Sequence, residues 1–264
     1  MKNTPSAADV LQVPCGVFMQ AEFHHKPVFL SGRYVKFSRE LSQTPWFING
    51  ERIASGLDTS LEEEIVRKLL PHFKPHSHKF HSSGREDIDV RMLGEGRLFF
   101  VELIEPRRFP SAQDLEYTQM EEEVNNDTKL VTINNLALST QGIFNQAMKD
   151  IDSKKKIYRA IVWTARSLTE KDLATINATQ DLQVSQKTPI RVLHRRSQLV
   201  RTKVIHSMHA EFLTPRFMQL DLCTSSGTYI KEFVHGDRGR TSPSIGSILG
   251  CKADILQLDV LNLV

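Results

Sequence analysis

Apolar residues fall at helical spacing most clearly in Leu61, Ile65 and Leu69, behind the capping-box pattern Ser60-Leu61-Glu62-Glu63. That pattern predicts a helix to about Leu70, ended by Pro71. A second, acidic and more exposed helix opens at Ser111-Ala112-Gln113-Asp114 and runs to about Val124. A third covers Gln141 to about Ile151, and Thr169-Glu170-Lys171-Asp172 caps a fourth. Between them lie strand-like runs at 27–30, 97–104, 156–164, 203–211, 217–224 and 255–260. In 217–224, Met218, Leu220 and Leu222 alternate with Phe217, Gln219, Asp221 and Cys223, the pattern of a half-buried strand. The short segment ending Thr214-Pro215 makes a hairpin of 203–211 and 217–224. Strands interleaved with helices and joined by a hairpin predict an α+β fold with a mixed or antiparallel sheet.

The chain has 264 residues, enough for one large domain or two small ones, and shows no internal repeat, low-complexity tract or long linker at which to divide it. Hydrophobic residues make up 40% and charged residues 25%, with a mean hydropathy of −0.31. This is the composition of a soluble globular protein and excludes extensive disorder. Cys15, Cys223 and Cys251 are odd in number and widely spaced. They provide neither a disulfide framework nor a C-x-x-C zinc pair, and favour a reducing, intracellular setting. No apolar run approaches the roughly 18 residues that span a bilayer, and Met1 to Ser6 is not followed by the apolar core of a secretory signal.

The net charge of +3 is small, but its distribution is uneven. From Leu182 to Ala210 there are six basic residues (Lys187, Arg191, Arg195, Arg196, Arg201 and Lys203) and no acid, while acids cluster at Glu62–Glu64 and Glu121–Glu123. Such segregation fits a basic surface facing a polyanion. It fits equally a solvated face whose compensating acids lie close in space.

Three segments carry candidate chemistry. The eleven residues from Gly84 to Gly94 hold two Gly, two Arg and three acids beside a strand, where reactive groups are commonly mounted, although composition alone favours a surface turn with local ion pairs. In Ser225 to Gly236, Gly227 turns the chain into a short helix that ends at Gly236. Its helical spacing puts Ile230, Phe233 and Val234 toward the core and leaves Lys231 and Glu232 on other sides. Tyr229 serves either packing or a cleft wall. In Lys154-Lys155-Lys156-Ile157-Tyr158-Arg159, an aromatic lies among cations on a strand. That suits a stacked, extruded base with phosphates held nearby, or simply a sheet residue.

Taken together, these segments resemble the pseudouridine synthases, several families of which carry a nucleophilic Asp in a G-R-x-D loop, as in Gly84-Arg85-Glu86-Asp87. Four segments in order are similar to the archaeal–eukaryotic tRNA pseudouridine synthases of the T-loop: Gln43-Thr44-Pro45-Trp46, Gly84 to Arg91, Thr188-Pro189-Ile190-Arg191-Val192-Leu193-His194-Arg195-Arg196, and Gly227 to Asp237. Arg238 stands where that family usually has Phe, and Met92 where Thr is common.

The resemblance implies an α+β pseudouridine synthase fold, with a mixed sheet flanked by helices and a central basic cleft. Residues 26–264 would form the catalytic domain and 1–25 a tail or linker remnant, without the family's N-terminal RNA-binding accessory domain. It makes Asp87 the nucleophile, Asp89 lying two residues beyond the family position. Tyr158 would stack on the extruded uracil and Tyr229 would line the base pocket. Lys231 would pair with the catalytic carboxylate, and Arg85 would hold the loop or a flanking phosphate. A carboxylate is already ionised at neutral pH and needs no separate base to act as nucleophile. No cofactor or metal is implied. The implied partner is tRNA through its T-arm, with other RNAs left open, no membrane, a monomeric enzyme, and the nucleus or cytoplasm as its location. The alternative is a non-catalytic RNA-binding protein that retains the fold.

Overall fold

The computed structural model describes residues 11–12, 18–19, 25–48, 50–53, 57–109, 114–150, 154–194 and 196–263. Its short strands are β1 (Leu11–Gln12) and β2 (Phe18–Met19), which pair with each other, and, after β3 (Val28–Lys36), the pair β4 (Phe47–Ile48) and β5 (Glu51–Arg52). There follow α1 (Leu61–Phe73), β6 (Ser77–Ser82), β7 (Val90–Ile104), α2 (Asp114–Asp127), β8 (Val131–Ser139) and α3 (Gln141–Lys149). Next come β9 (Lys156–Thr164), α4 (Glu170–Asn177), β10 (Gln180–Lys187), β11 (Val200–Thr214) and β12 (Phe217–Thr224). The described chain closes with α5 (Ile230–His235), β13 (Thr241–Ser242), α6 (Ile245–Leu249) and β14 (Ala253–Leu263).

Ten strands form one sheet in the order β13-β10-β11-β12-β9-β14-β7-β3-β8, with β6 also paired to β7. Neighbours are antiparallel except β14 and β7, which run parallel, with Leu258 beside Val90 and Val260 beside Met92. The sheet is therefore mixed and flanked by helices, as expected. Helices α1 and α2 pack on each other and on β8, α4 packs on β11, and α5 packs on β14. One core runs through the whole sheet. It holds Leu30, Tyr34, Phe99 and Val101 under α1 and α2, and Ala160, Leu220, Leu222 and Phe233 in the other half. Each large apolar side chain buried there contributes about 1.5–3 kcal/mol.

Sequence pattern and structure agree closely where one face is buried. Strands β9 and β12 cover the predicted 156–164 and 217–224, and β11 and β12 form the expected hairpin. In α1, Ser60 Oγ accepts from the Glu63 amide at 3.3 Å. Leu61, Ile65 and Leu69 are buried. The helix does not end at Pro71, which withholds only one backbone donor near the last turn. It stops at Phe73, where Lys74 turns left-handed and donates its amide to Leu70 O at 2.8 Å. Helix α2 runs to Asp127, three residues beyond the expected end, while its predicted opening at Ser111 lies outside the described residues, as does Ile151.

The remaining strands outrun the predictions. Strand β7 begins at Val90 rather than 97 and passes through Gly94-Glu95-Gly96. A Cβ at Gly94, whose φ is +63°, would lie 1.9 Å from Leu261 O, so only glycine lets β14 approach there. Strands β6, β8 and β10 are additional. In β10 only Val184 and Gln186 are buried, and its pairing with β11 rather than apolar alternation makes it a strand. In β8, Asn134-Asn135 breaks the pattern, with Asn135 left-handed. Cys223 and Cys251 are free thiols, and Cys15 lies outside the described residues. No helix of the described residues is long and apolar enough to cross a membrane.

Candidate active site

The G-R-x-D segment is the loop between β6 and β7. Gly84 has φ +122°, and a Cβ there would lie 2.5 Å from Arg97 Nη1, so this position tolerates no side chain. Glu86, the variable residue of the motif, turns inward and is fully buried. Its carboxylate accepts from Arg97 Nε and from Tyr34 Oη, both at 3.0 Å. Arg97 also donates to Ser83 O at 3.1 Å. Gln43 Nε2 lies 3.0 Å from Tyr34 Oη and 3.1 Å from Gly84 O. Burial, reinforced by the charge of Glu86, pushes the Tyr34 phenol well above its ordinary pKa.

A second clamp lies beneath Asp87 itself. Buried Lys36 donates through Nζ to Leu41 O at 2.9 Å, Asp87 O at 3.1 Å and Ile88 O at 2.9 Å. Its three protons thus meet three carbonyls. Burial pushes its pKa down to about 8 despite the nearby Glu86, Asp89 and Asp87. With Glu86 held inward and the Asp87 carbonyl held from below, the Asp87 carboxylate faces outward, one-third exposed.

Asp87 has two cationic partners, one more than the sequence-based expectation. Lys231 Nζ forms the expected ion pair with Asp87 Oδ2 at 3.5 Å, and Arg191 Nη1 approaches the same oxygen more closely, at 2.9 Å. Lys231 also donates to both oxygens of Asp89 at 2.7 Å. Partial burial pushes the Asp89 carboxyl up, but the Lys231 hydrogen bond and charge outweigh it and hold it below the usual carboxylate range. Arg191 also donates from Nε to Glu232 Oε1 at 2.7 Å. Glu232 is only 1% exposed, which corrects its placement on an outer side of the helix: a charged partner draws it inward. The turn that presents Arg191, Ile190–Val192, is fastened where the Ile190 amide donates to Asp237 Oδ2 at 3.2 Å.

Asp87 stands at the edge of a cleft of about 730 Å³. Tyr158 and Tyr229 line it beside Leu258 and Val260, and Lys156, Arg196, Arg201 and Lys203 add positive charge. Tyr158 is buried in mid-sheet, opposite Leu222 of β12 and Val260 of β14. Burial pushes its phenol up to about 12, with Arg97 opposing and Glu86 adding to the effect. Tyr229 is fixed by its backbone: its amide donates to Gln186 Oε1 and its carbonyl accepts from Gln186 Nε2, both at 2.9 Å. Arg85 is exposed at the mouth of the cleft. Four cations of the acid-free stretch therefore line one cleft, while Arg195 lies outside the described residues. Among the described residues, no His, Cys, Asp or Glu cluster is arranged to hold a metal.

The structure thus brings together Asp87, Arg85, Tyr158, Tyr229 and Lys231, the five residues singled out from the sequence. Sequence reasoning did not single out Arg191, Glu232 or Lys36. Arg191 lay inside a quoted motif, but its spacing gave no sign that it reaches the loop.

Comparison with known proteins follows the same lines. The chain is 44% identical over 260 residues to the tRNA pseudouridine synthase Pus10 of Homo sapiens, covering 98% of this chain and 48% of that one. It is 37% identical over 244 residues to the protein of the same name from Thermofilum pendens, covering 92% and 54%. The chain spans about half the length of these curated relatives. Among solved structures, a Cbf5-Nop10-Gar1 complex is similar over 88% of this chain and 48% of that chain, with a TM-score of 0.45 and 14% identity. The family model described as Pus10, C-terminal, matches residues 29–263, and this chain belongs to that family.

Proposed function

We propose that this chain, through residues 26–264, is the catalytic part of a tRNA pseudouridine synthase that isomerises a uridine of the T-loop. The observation that carries the reading is the Asp87 carboxylate, turned outward on a doubly clamped loop, 2.9 Å from Arg191, at the edge of a cleft lined by Tyr158 and Tyr229. The names of the curated relatives support the substrate.

The residues divide the work. Extruding a uridine costs a few kcal/mol, and stacking on an aromatic returns about 1–3 kcal/mol per base, the role assigned to Tyr158. Asp87 attacks the sugar at C1′ or the base at C6, or assists glycal formation. The N1–C1′ bond breaks, the uracil turns between the flat walls of the cleft, and C5–C1′ forms. N1 gains a proton and C5 releases one, so the exchange is redox-neutral. Arg191 holds the Asp87 carboxylate in its aim. Arg196, Arg201 and Lys203 attract the phosphate backbone.

The test is pseudouridine formation on an unmodified tRNA transcript, mapped by position, with wild type beside Asp87→Asn. Product at a T-loop uridine from wild type alone, with tRNA binding of the variant within a few-fold, is expected. Unchanged turnover in a folded Asp87→Asn variant would overturn the reading. Binding without product by both proteins would favour an RNA-binding role.

A further inference from the structure

A second cleft, of about 230 Å³, adjoins the first along the same loop. It shares five residues with the larger cleft, the cations Arg85, Arg191 and Lys231 among them, and its own lining adds Gln43, Trp46, Ile88 and Asp89. Trp46 is 38% exposed, and Phe47 beside it is 59% exposed. Large aromatics usually bury their faces, so an indole left open beside a reactive carboxylate is informative.

The indole stands on an anchored support. Ile53 donates its amide to Trp46 O at 2.9 Å, closing the β4–β5 pair. Arg52 ties that pair to α1 through two hydrogen bonds of 2.7 Å to the Glu63 carboxylate. Three residues before Trp46, Gln43 bonds directly to the reactive loop at Gly84 O. The segment that carries Trp46 is therefore tied both to α1 and to the loop that carries Asp87. Arg85 lines both clefts, so its guanidinium stands where a strand with one nucleotide in each cleft would pass its linking phosphate.

We propose that Trp46 is a second stacking platform, which takes the nucleobase immediately next to the uridine held in the Tyr158 cleft. This rests on the site being one that extrudes a uridine from RNA. An aromatic face with adjacent cations is the chemistry that receives an unstacked base and its phosphate. Trp46 then contributes to the choice of target through the neighbour of the uridine rather than through the uridine.

The test is a thermodynamic cycle read from binding, using T-arm hairpin RNA that is intact or abasic at the 5′ or the 3′ neighbour of the target. Trp46→Ala should weaken binding of the intact hairpin about 10-fold, within the range one stacked base supplies, and Trp46→Phe by less than about 3-fold. On one of the two abasic hairpins, wild type and Trp46→Ala should bind alike. A loss that persists on both abasic RNAs, or an alanine variant within 2-fold of wild type on intact RNA, overturns the proposal. Fluorescence is an independent readout, because Trp46 and Trp163 are the only tryptophans in the sequence. In Trp163→Phe, the intact hairpin should quench the remaining indole and the critical abasic hairpin should not. Because the cycle reads binding, its outcome is separate from turnover: coupling without product would leave the platform standing and remove the catalytic reading.

Discussion

Arg191 joins Glu232 to Asp87. Its Nε lies 2.7 Å from the buried Glu232 carboxylate and its Nη1 lies 2.9 Å from Asp87. One planar guanidinium thus spends one edge on a fixed anchor and offers the other to the Asp87 carboxylate. A lysine, with a single charged nitrogen, cannot hold both geometries.

Arg191→Lys is therefore expected to lower kcat about 100-fold while KM stays within a few-fold, the pattern of a misaimed carboxylate rather than lost substrate binding. Single-turnover kinetics on a tRNA transcript measure both parameters. An equal loss in KM with kcat intact would mean that Arg191 holds RNA instead of Asp87.

Lys36 should make the loop that carries Asp87 sensitive to pH. Its folded pKa of about 8 lies below the ordinary lysine value, so from about pH 8 upward the unfolded chain holds a proton that the folded chain has released. Its contribution to stability therefore rises with pH through that window. The loop itself loses one of the three donors that hold the carbonyls of Leu41, Asp87 and Ile88. Turnover should fall with a limb near pH 8, and Lys36→Arg should carry that limb to higher pH. A wild-type kcat that stays flat to about pH 9.5 would exclude a role for this charge.

Glu86 and Arg97 are a fully buried pair. Glu86→Ala leaves the guanidinium buried without its carboxylate, at a cost of about 3–5 kcal/mol, and should lower Tm by on the order of 10 °C. Replacing both by apolar residues of similar size, Glu86→Leu with Arg97→Met, should recover much of that loss. Calorimetry that finds the double variant no more stable than Glu86→Ala would show that the pair is needed as such.

RNA affinity should fall steeply with salt. Neutralising Arg201 and Lys203 together should reduce the slope of log K against log salt by roughly 1.4, about 0.7 for each single-strand phosphate contact. An unchanged slope would remove these cations from the RNA path.

The elements legible in the sequence were those with one buried face. Leu61, Ile65 and Leu69 announced α1, and the alternation in Phe217–Thr224 announced β12. Strand β10 was hidden because its residues are mostly Gln, Ser and Asp, and its place is set by β11. Asp87, Tyr158 and Tyr229 were legible through motifs, whereas the two clamps were not. Glu232 is inside because Arg191, 41 positions away, meets it there. Lys36 shows only as one basic residue at the end of a strand, and two of the three carbonyls it holds belong to a loop some fifty residues on. Such long-range pairs leave no periodic trace.

Strand β14 lies between β9 and β7, yet it follows every other strand of the sheet along the chain. Tyr158 has β12 on one side and β14 on the other. On a growing polypeptide, the two blocks of strands therefore have no shared ladder until β14 emerges and pairs with both. The cleft at Tyr158 is completed at that moment, because Leu258 and Val260 of β14 supply part of its wall.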